Sequence, residues 1–296
     1  MIRSMTGFSI SSLNLVHGTE RSSVNIAIKS LNSRYFEVSY KIPYMLSSLE
    51  HDITKLIKQE LVRGHITVTI HMSNPSLFKG AIEPALNTID GYIHALEQIK
   101  KTGKVSGSVS LDALITLPNI FIVEEQGIDD ASRQALLDGI RKALALLVNG
   151  QDAEGAILQQ DLEKRSAIME AEITAIEQES AVLLDAHKKK IQQSLQEMLV
   201  DESKFADTQK NSLYATLDKI DTHEEVIRFK NHLENFKTIV HAPGIEKGKR
   251  LDFTLQELAR EINTISAKCS DSQISSRAIN VKVELEKARE QVQNIV

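Results

Sequence analysis

Two stretches in the C-terminal third carry the side chains best suited to chemistry. In residues 221–240, Asp221, Glu225, Arg228 and His232 recur at steps of four, three and four. At about 100° per residue they share one flank of a helix, beside an apolar stripe of Val226, Phe229, Leu233, Phe236 and Val240. In residues 248–269, Leu251, Leu255, Leu258, Ile262 and Ile265 form a second stripe. Arg250, Glu257, Glu261, Thr264 and Lys268 fall on one flank of it, and Asp252, Gln256 and Asn263 on the other. If the two helices pack antiparallel across their short linker, Glu225, His232, Glu257 and Glu261 surround a cleft with Arg228, Arg250 and Lys268 on its rim. Carboxylates and an imidazole can hold Mg²⁺ or Mn²⁺ to polarise a phosphoryl oxygen, and the cations can bind phosphates, a set suited to phosphodiester cleavage. The same spacing also makes interhelical ion pairs, which is the commoner use of it.

Competing chemistries lack their signatures. There is no phosphate-binding GxxxxGK[ST] loop, no GxGxxG turn, no HExxH and no GxSxG elbow. Cys269 is the only cysteine, which excludes internal disulfides and cysteine-built zinc sites. The net charge of −5 argues against a surface coated in basic residues for indiscriminate nucleic-acid binding, while leaving room for a local basic groove. Arg3 with Asn32, Arg34 and Tyr35 suits an arginine-plus-aromatic RNA contact, or equally turn structure. No apolar run is long enough to cross a bilayer, and the first residues lack the core of a signal peptide, so a cytoplasmic location is the default expectation.

The elements that would position these groups fall into an α+β N-terminal domain (1–125), a long helical arm (126–200) and a C-terminal helical domain (201–296). Val24, Ile26 and Ile28 alternate with polar neighbours, as do Phe36, Val38, Tyr40 and Ile42, and again Ile66, Val68, Ile70 and Met72. That period predicts strands of a mainly antiparallel sheet with one buried face. Between the second and third, residues 47–61 predict an amphipathic helix stopped by Gly64. The other sheet face, with Lys29, Lys41, His65 and His71, is either simply solvated or an RNA surface. Residues 74–80 read as a loop, 84–101 as a helix, and 111–121 as a short helix broken at Pro118-Asn119. Leu158, Leu162, Met169, Ile173, Ile176, Leu183, Ile191, Leu195 and Met198 predict a helix on the order of 60 Å long at 1.5 Å per residue. A helix of that length must pack against something extended, so an oligomer interface is expected. Further helices are predicted over 202–214, 220–240 and 275–295.

Six ordered motifs make the chain resemble the YicC-like family of bacterial metal-dependent endoribonucleases over essentially its whole length. They are Ile2-Arg3-Ser4-Met5-Thr6-Gly7-Phe8; Ser30-Leu31-Asn32-Ser33-Arg34-Tyr35 with Glu37; Leu61-Val62-Arg63-Gly64; Glu154-Gly155 with Asp161-Leu162 and Arg165; Asp221, Glu224-Glu225, Arg228 and His232; and a C-terminal set. That set comprises Gly248-Lys249-Arg250-Leu251-Asp252-Phe253, Gln256-Glu257, Arg260-Glu261, Asn263-Thr264 and Arg289-Glu290-Gln291-Val292-Gln293-Asn294-Ile295. Departures include His65 after Arg63-Gly64, where lysine is usual, and Ala259, Ile262, Cys269 and Val296. The resemblance implies a cytoplasmic enzyme that cuts single-stranded or structured RNA, uses Mn²⁺ or Mg²⁺ and assembles as a homohexamer. On the matched positions, Glu225, His232, Glu257 and Glu261 are the expected metal and acid–base residues. Arg3, Asn32, Arg34, Tyr35, Arg63, Arg228, Arg250, Arg260 and Lys268 are the expected RNA contacts. The alternatives are a non-catalytic RNA-binding adaptor of another ribonuclease and a purely structural oligomer. Which flank of 250–268 faces the site stays open.

Overall fold

A computed structural model describes residues 2–17, 20–74, 77–103, 107–125, 127–198, 221–269 and 271–296. The helix expected over 202–214 lies outside them, as does part of the glycine- and serine-rich stretch after Lys101.

The alternating segments form a four-stranded sheet in the order β1 (Gly7–His17), β2 (Glu20–Leu31), β4 (Gly64–Met72), β3 (Phe36–Lys41). β1, β2 and β4 pair antiparallel, while β3 runs parallel to β4. The parallel pair follows from the intervening helix α1 (Glu50–Glu60), which carries the chain back across the sheet to start β4 in the same direction. Sequence periodicity misses β1. Its first half points Ser9 and Ser11 inward and Phe8 and Ile10 outward, the reverse of the usual pattern. The inward Ser9 is tolerated because its neighbour supplies a partner: it donates to the Ala143 carbonyl at 2.8 Å. A two-stranded ribbon of β5 (Lys79–Pro84) and β6 (Phe121–Glu125) brackets α2 (Leu86–Lys101) and α3 (Leu111–Ile115). β5 replaces part of the loop expected over 74–80.

The long helix is longer than the sequence pattern suggested. α4 runs from Asp130 to Met198, 69 residues, or roughly 100 Å at 1.5 Å per residue. Its start, with Asp129-Asp130 as cap and acidic first turn, is readable from the sequence. Gly139, Gly150 and Gly155 lie inside the helix, and their low propensity interrupts the apolar repeat between that start and Leu158. Its first part buries Leu136, Ile140, Leu144 and Leu147 against Val24, Ile26 and Ile28 of the sheet. Its middle buries Leu162, Met169, Ile173 and Ile176 against three further helices. These are α5 (His223–His241), α6 (Gly248–Lys268) and α7 (Ser272–Val292). α4 is therefore a spine shared by two cores. Each buried Leu or Ile contributes about 1.5–3 kcal/mol to holding them together.

Ion pairs line the outside of the helical core. Arg165 of α4 reaches Asp161 at 2.7 Å and Glu284 of α7 at 3.0 Å. Arg277 joins Glu172 and Glu179, and Lys237 joins Glu170. Of the α4 motif residues, Arg165 thus serves as a packing contact between helices, held in place by Asp161 of its own helix. No described helix is long and apolar enough to cross a membrane.

Candidate nucleic-acid interface

The sheet and the helical core meet where the N-terminal and C-terminal segments run side by side. Met5 N–H donates to the Asn294 carbonyl at 2.8 Å, and Val296 N–H donates to the Arg3 carbonyl at 3.2 Å. Val296 in turn accepts from the backbone N–H groups of Lys247 and Gly248, at 2.8 and 2.9 Å, which open α6. From the sheet, Ser30 Oγ donates to the Met5 carbonyl at 2.7 Å, and Asn32 Nδ2 to the Gln293 carbonyl at 2.8 Å. Two helix glycines let these strands approach. A Cβ on Gly155 would lie 2.1 Å from the Ile2 carbonyl oxygen, and one on Gly248 would lie 2.3 Å from that of Ile295. Ile2 itself is fully buried in the helical core.

This stitching builds a cleft of about 560 Å³ at the junction. Asn32, Arg34 and Tyr35 enter from the turn after β2, Arg63 from the turn before β4, Gly248, Lys249 and Asp252 from α6, and Arg289 and Gln293 from the end of α7. The Arg34 guanidinium lies 5.6 Å from the centre of the Tyr35 ring, and that ring is 63% exposed. Arg63 Nε donates to the Ser33 carbonyl at 3.3 Å, which ties the two turns together. Arg289 is 3.4 Å from Asp252, whose carboxylate also accepts from Gln256 Nε2 at 2.8 Å. Arg34, Arg63 and Lys249 have no carboxylate partner among the described residues. Such cations hold phosphate oxygens well: arginine binds them through two parallel N–H groups, and lysine adds a point charge. The positive end of the α6 dipole opens at the same place.

The expected α5–α6 set is arranged differently. The helices do pack antiparallel, since Lys268 at the end of α6 reaches Glu225 at the start of α5 at 2.7 Å. Their charges are mostly answered locally. Lys268 also donates to the Asp221 carbonyl at 2.9 Å, Arg228 pairs with Glu224, and Arg260 pairs with Glu257 at 2.6 Å. Glu225 is buried, and its Oε2 finds no hydrogen-bond partner among the described residues. His232 and Glu261 are half-buried. No three His, Cys, Asp or Glu side chains among the described residues come close enough to hold a metal ion. Within one chain, the donor set expected for Mn²⁺ or Mg²⁺ does not fit an ion by itself. The Glu225–Lys268 pair and the cleft sit at opposite ends of α6, on the order of 30 Å apart for its 21 residues.

Of the RNA contacts expected from sequence, Asn32, Arg34, Tyr35 and Arg63 come together in the cleft. Arg3 does not join them. Its guanidinium binds Asp152 at 2.7 and 3.1 Å and the Glu60 carbonyl at 3.3 Å, fixing the N-terminal strand. Arg250 lines, with Asn235 and Ile239, a neighbouring groove between α5 and α6 that shares Lys249 and Asp252 with the cleft. Arg228, Arg260 and Lys268 stay on the paired flank. Along α6, Asp252 lines the junction cleft, and Lys268 reaches Glu225 of α5. Lys249 and Arg289 join the site without having been singled out, although both stand in the terminal motifs, and Asp252 comes from the flank set opposite Glu257 and Glu261. Cys269 is buried, which pushes its thiol above the usual value and leaves it a poor nucleophile.

Comparison with known proteins covers nearly the whole chain. Residues 2–160 match the family model described as endoribonuclease YicC-like, N-terminal region, and residues 176–296 match the one described as endoribonuclease YicC-like, C-terminal. A probable endoribonuclease YicC of Clostridioides difficile (strain 630) is 31% identical over 281 residues, covering 91% of this chain and 92% of that protein. Another of that name, from Haemophilus influenzae (strain ATCC 51907 / DSM 11121 / KW20 / Rd), is 26% identical over 268 residues, with 90% and 92% covered.

Proposed function

The chain belongs to the YicC-like endoribonuclease family, and from that premise we propose that it cleaves RNA with the phosphodiester backbone held in the junction cleft. One observation supports this most: Arg34, Arg63 and Lys249 converge there from three separate parts of the chain, none of them ion-paired with a carboxylate among the described residues, while Asp252, the carboxylate of the cleft, is held by Arg289 and Gln256. In water such a cluster repels itself, so an anionic ligand has an electrostatic advantage there. Tyr35 offers a flat exposed ring for a base beside the phosphate.

The residues suit charge stabilisation during cleavage. Arg63, Lys249 and Arg289 supply N–H groups and positive charge around one space, where a phosphate gains negative charge as its new bond forms. Asp252 is the carboxylate lining that space. It is placed to accept the proton of an attacking hydroxyl, with Gln256 and Arg289 fixing its orientation. The competing assignment puts acid–base and metal roles on Glu225, His232, Glu257 and Glu261. Its support is the unpartnered Glu225 Oε2 and the antiparallel packing of α5 and α6. An ion there would need further ligands from outside the chain.

Self-association, expected as a homohexamer, is supported by α4. Leu146, Ile157, Ile168 and Val182 are exposed large hydrophobics spaced by eleven, eleven and fourteen residues, which places them on one face. Ala153 and Ala171 continue that face. An apolar stripe of this length suits burial against another copy. A cytoplasmic site of action fits an RNA substrate.

The test is cleavage of a labelled RNA by highly purified protein, with Mn²⁺, with Mg²⁺ and with EDTA. Wild type, Asp252→Asn, Arg63→Ala, Glu257→Gln and His232→Ala are compared. Loss of cutting in the first two variants alone places the reaction in the cleft. Loss in the last two, with a metal requirement, moves it to α5–α6. Cleavage that copurifies away while RNA binding persists makes the chain a non-catalytic adaptor.

A further inference from the structure

The outer face of the four-stranded sheet is uncovered, because both α1 and α4 pack on the other side. Its rows can be read from the strand register. Phe8, Lys29, Thr67 and Ser39 stand side by side across the four strands. The next row is Ile10, Ala27, Thr69 and Lys41. On the other side, Leu31, His65 and Glu37 form the row that borders the cleft, one residue from Asn32 and two from Arg63.

This face combines three features. Phe8 presents a ring that is 63% exposed on an otherwise flat surface. Lys29 and Lys41 carry charge with no carboxylate partner among the described residues. The acid on these three rows, Glu37, is occupied by His65 Nδ1 at 3.3 Å, and His65 Nε2 lies 3.3 Å from Ser39 Oγ. Phe8 on the β1 edge has Lys29 beside it on β2, and Lys41 stands across the sheet on β3. An aromatic platform flanked by such cations is an arrangement on which unpaired bases stack while their phosphates are held.

We propose that the open sheet face is a track for single-stranded RNA that continues into the junction cleft. The proposal rests on the reading of the cleft as an RNA site and adds its substrate class: RNA with an unpaired segment next to the bond that is cut. The two outer strands are about 14 Å apart at the usual strand spacing, and the rows carrying Lys41 and Leu31 lie about 13 Å apart along β2. That area accommodates a few splayed nucleotides. A duplex keeps its bases stacked on one another and cannot present them to Phe8. A second copy of the chain fits this face poorly, since docking would strip water from Lys29, Lys41 and the threonines between them. The exposed apolar stripe of α4 lacks that penalty.

The experiment measures fluorescence anisotropy with 2′-O-methyl oligoribonucleotides, which keep bases and phosphates. One probe is short enough to fill only the cleft, one is long enough to reach Phe8, and a third is a duplex of the long sequence. Phe8→Ala is expected to weaken the long single strand about tenfold and leave the short probe and the duplex unchanged. Lys29→Ala with Lys41→Ala is expected to reduce the salt slope for the long strand by about 1.4. All three residues are exposed, so circular dichroism should show wild-type folding. Unchanged affinity for the long probe, or equal losses for short and long probes, overturns the track. A change in sedimentation with unchanged RNA affinity assigns the face to self-association and also overturns it. If Arg63→Ala leaves the short probe unaffected, the cleft reading fails instead, and the track is then judged on the long probe alone.

Discussion

The two charged regions at opposite ends of α6 share residue types and differ in how those residues are satisfied. Along the α5–α6 flank, arginines and lysines meet carboxylates three or four residues away, or across one helix contact: Arg228 with Glu224, Arg260 with Glu257, Lys268 with Glu225. In the cleft, Arg34, Arg63 and Lys249 come from turns and a helix end far apart in sequence and face one another without such partners. Charges that answer each other locally stabilise helices weakly and leave little unspent field. Cations gathered by tertiary structure and left unanswered are the better sign of a bound anion. A sorted pattern of charge on one helix is thus poorer evidence of a site than an unsorted one assembled from several elements.

The sharpest way to break this contrast is kinetic. Arg63→Ala or Arg289→Ala is expected to lower single-turnover RNA cleavage by about 100-fold, the usual cost of removing one stabilising donor. Glu257→Gln and His232→Ala are expected to stay within a few-fold. Reversed results would show that the paired flank does the chemistry after all.

A second expectation concerns the framework that holds the cleft. Gly155→Val pushes side-chain atoms into the Ile2 carbonyl and should destabilise the fold by about 3 kcal/mol, read from chemical denaturation. RNA affinity should fall with it, since the same strand carries Met5 to the cleft.

Smaller still is the effect of the partly buried Arg165–Glu284 pair. Arg165→Met is expected to cost about 2 kcal/mol, the size of a lost hydrogen bond between charged groups. The Lys287 hydrogen bond depresses the Glu284 carboxyl below its usual 4.5; burial opposes this, and Arg165 adds to it. A depressed carboxyl stabilises the fold above its unfolded-state value and loses that contribution as pH falls through the folded value. Wild type should therefore lose stability on acidification below about pH 4.5, and Glu284→Gln should flatten that part of the thermal-denaturation profile. At the bottom of the scale, Arg228→Ala removes an exposed helix pair and should shift stability by about 0.5 kcal/mol or less. A larger loss there would show the flank to be more than local pairing.

Much of this architecture is legible in the residues, and the exceptions have physical causes. The stripes Leu251–Leu255–Leu258–Ile262–Ile265 and Val226–Phe229–Leu233–Phe236 each read out a helix because one face meets a continuous core. β1 hides because its buried side is partly serine, acceptable only where the Ala143 carbonyl waits across the interface. The full length of α4 is obscured by helix-interior glycines, of which Gly155 makes room for the Ile2 backbone and Gly139 for the Leu13 and Ile26 side chains. The cleft was half legible. Asn32, Arg34, Tyr35 and Arg63 stood out as motif residues, while Lys249, Asp252 and Arg289 could be joined to them only once the ends of α6 and α7 were brought against the turns of the sheet. No periodicity encodes a contact between residues some 260 positions apart, such as Asn32 with Gln293.

The pairing of Arg3 and Met5 with Val296 and Asn294 also imposes an order in time. Synthesis delivers the N-terminal strand first and its partners last, after α7 has emerged. Until then the Ile2 side chain has only part of its pocket, the opening N–H groups of α6 lack their acceptor, and Arg289 is missing from the cleft wall. The sheet can fold early around its own core, but the cleft closes only once residues 289–296 have been added to the chain.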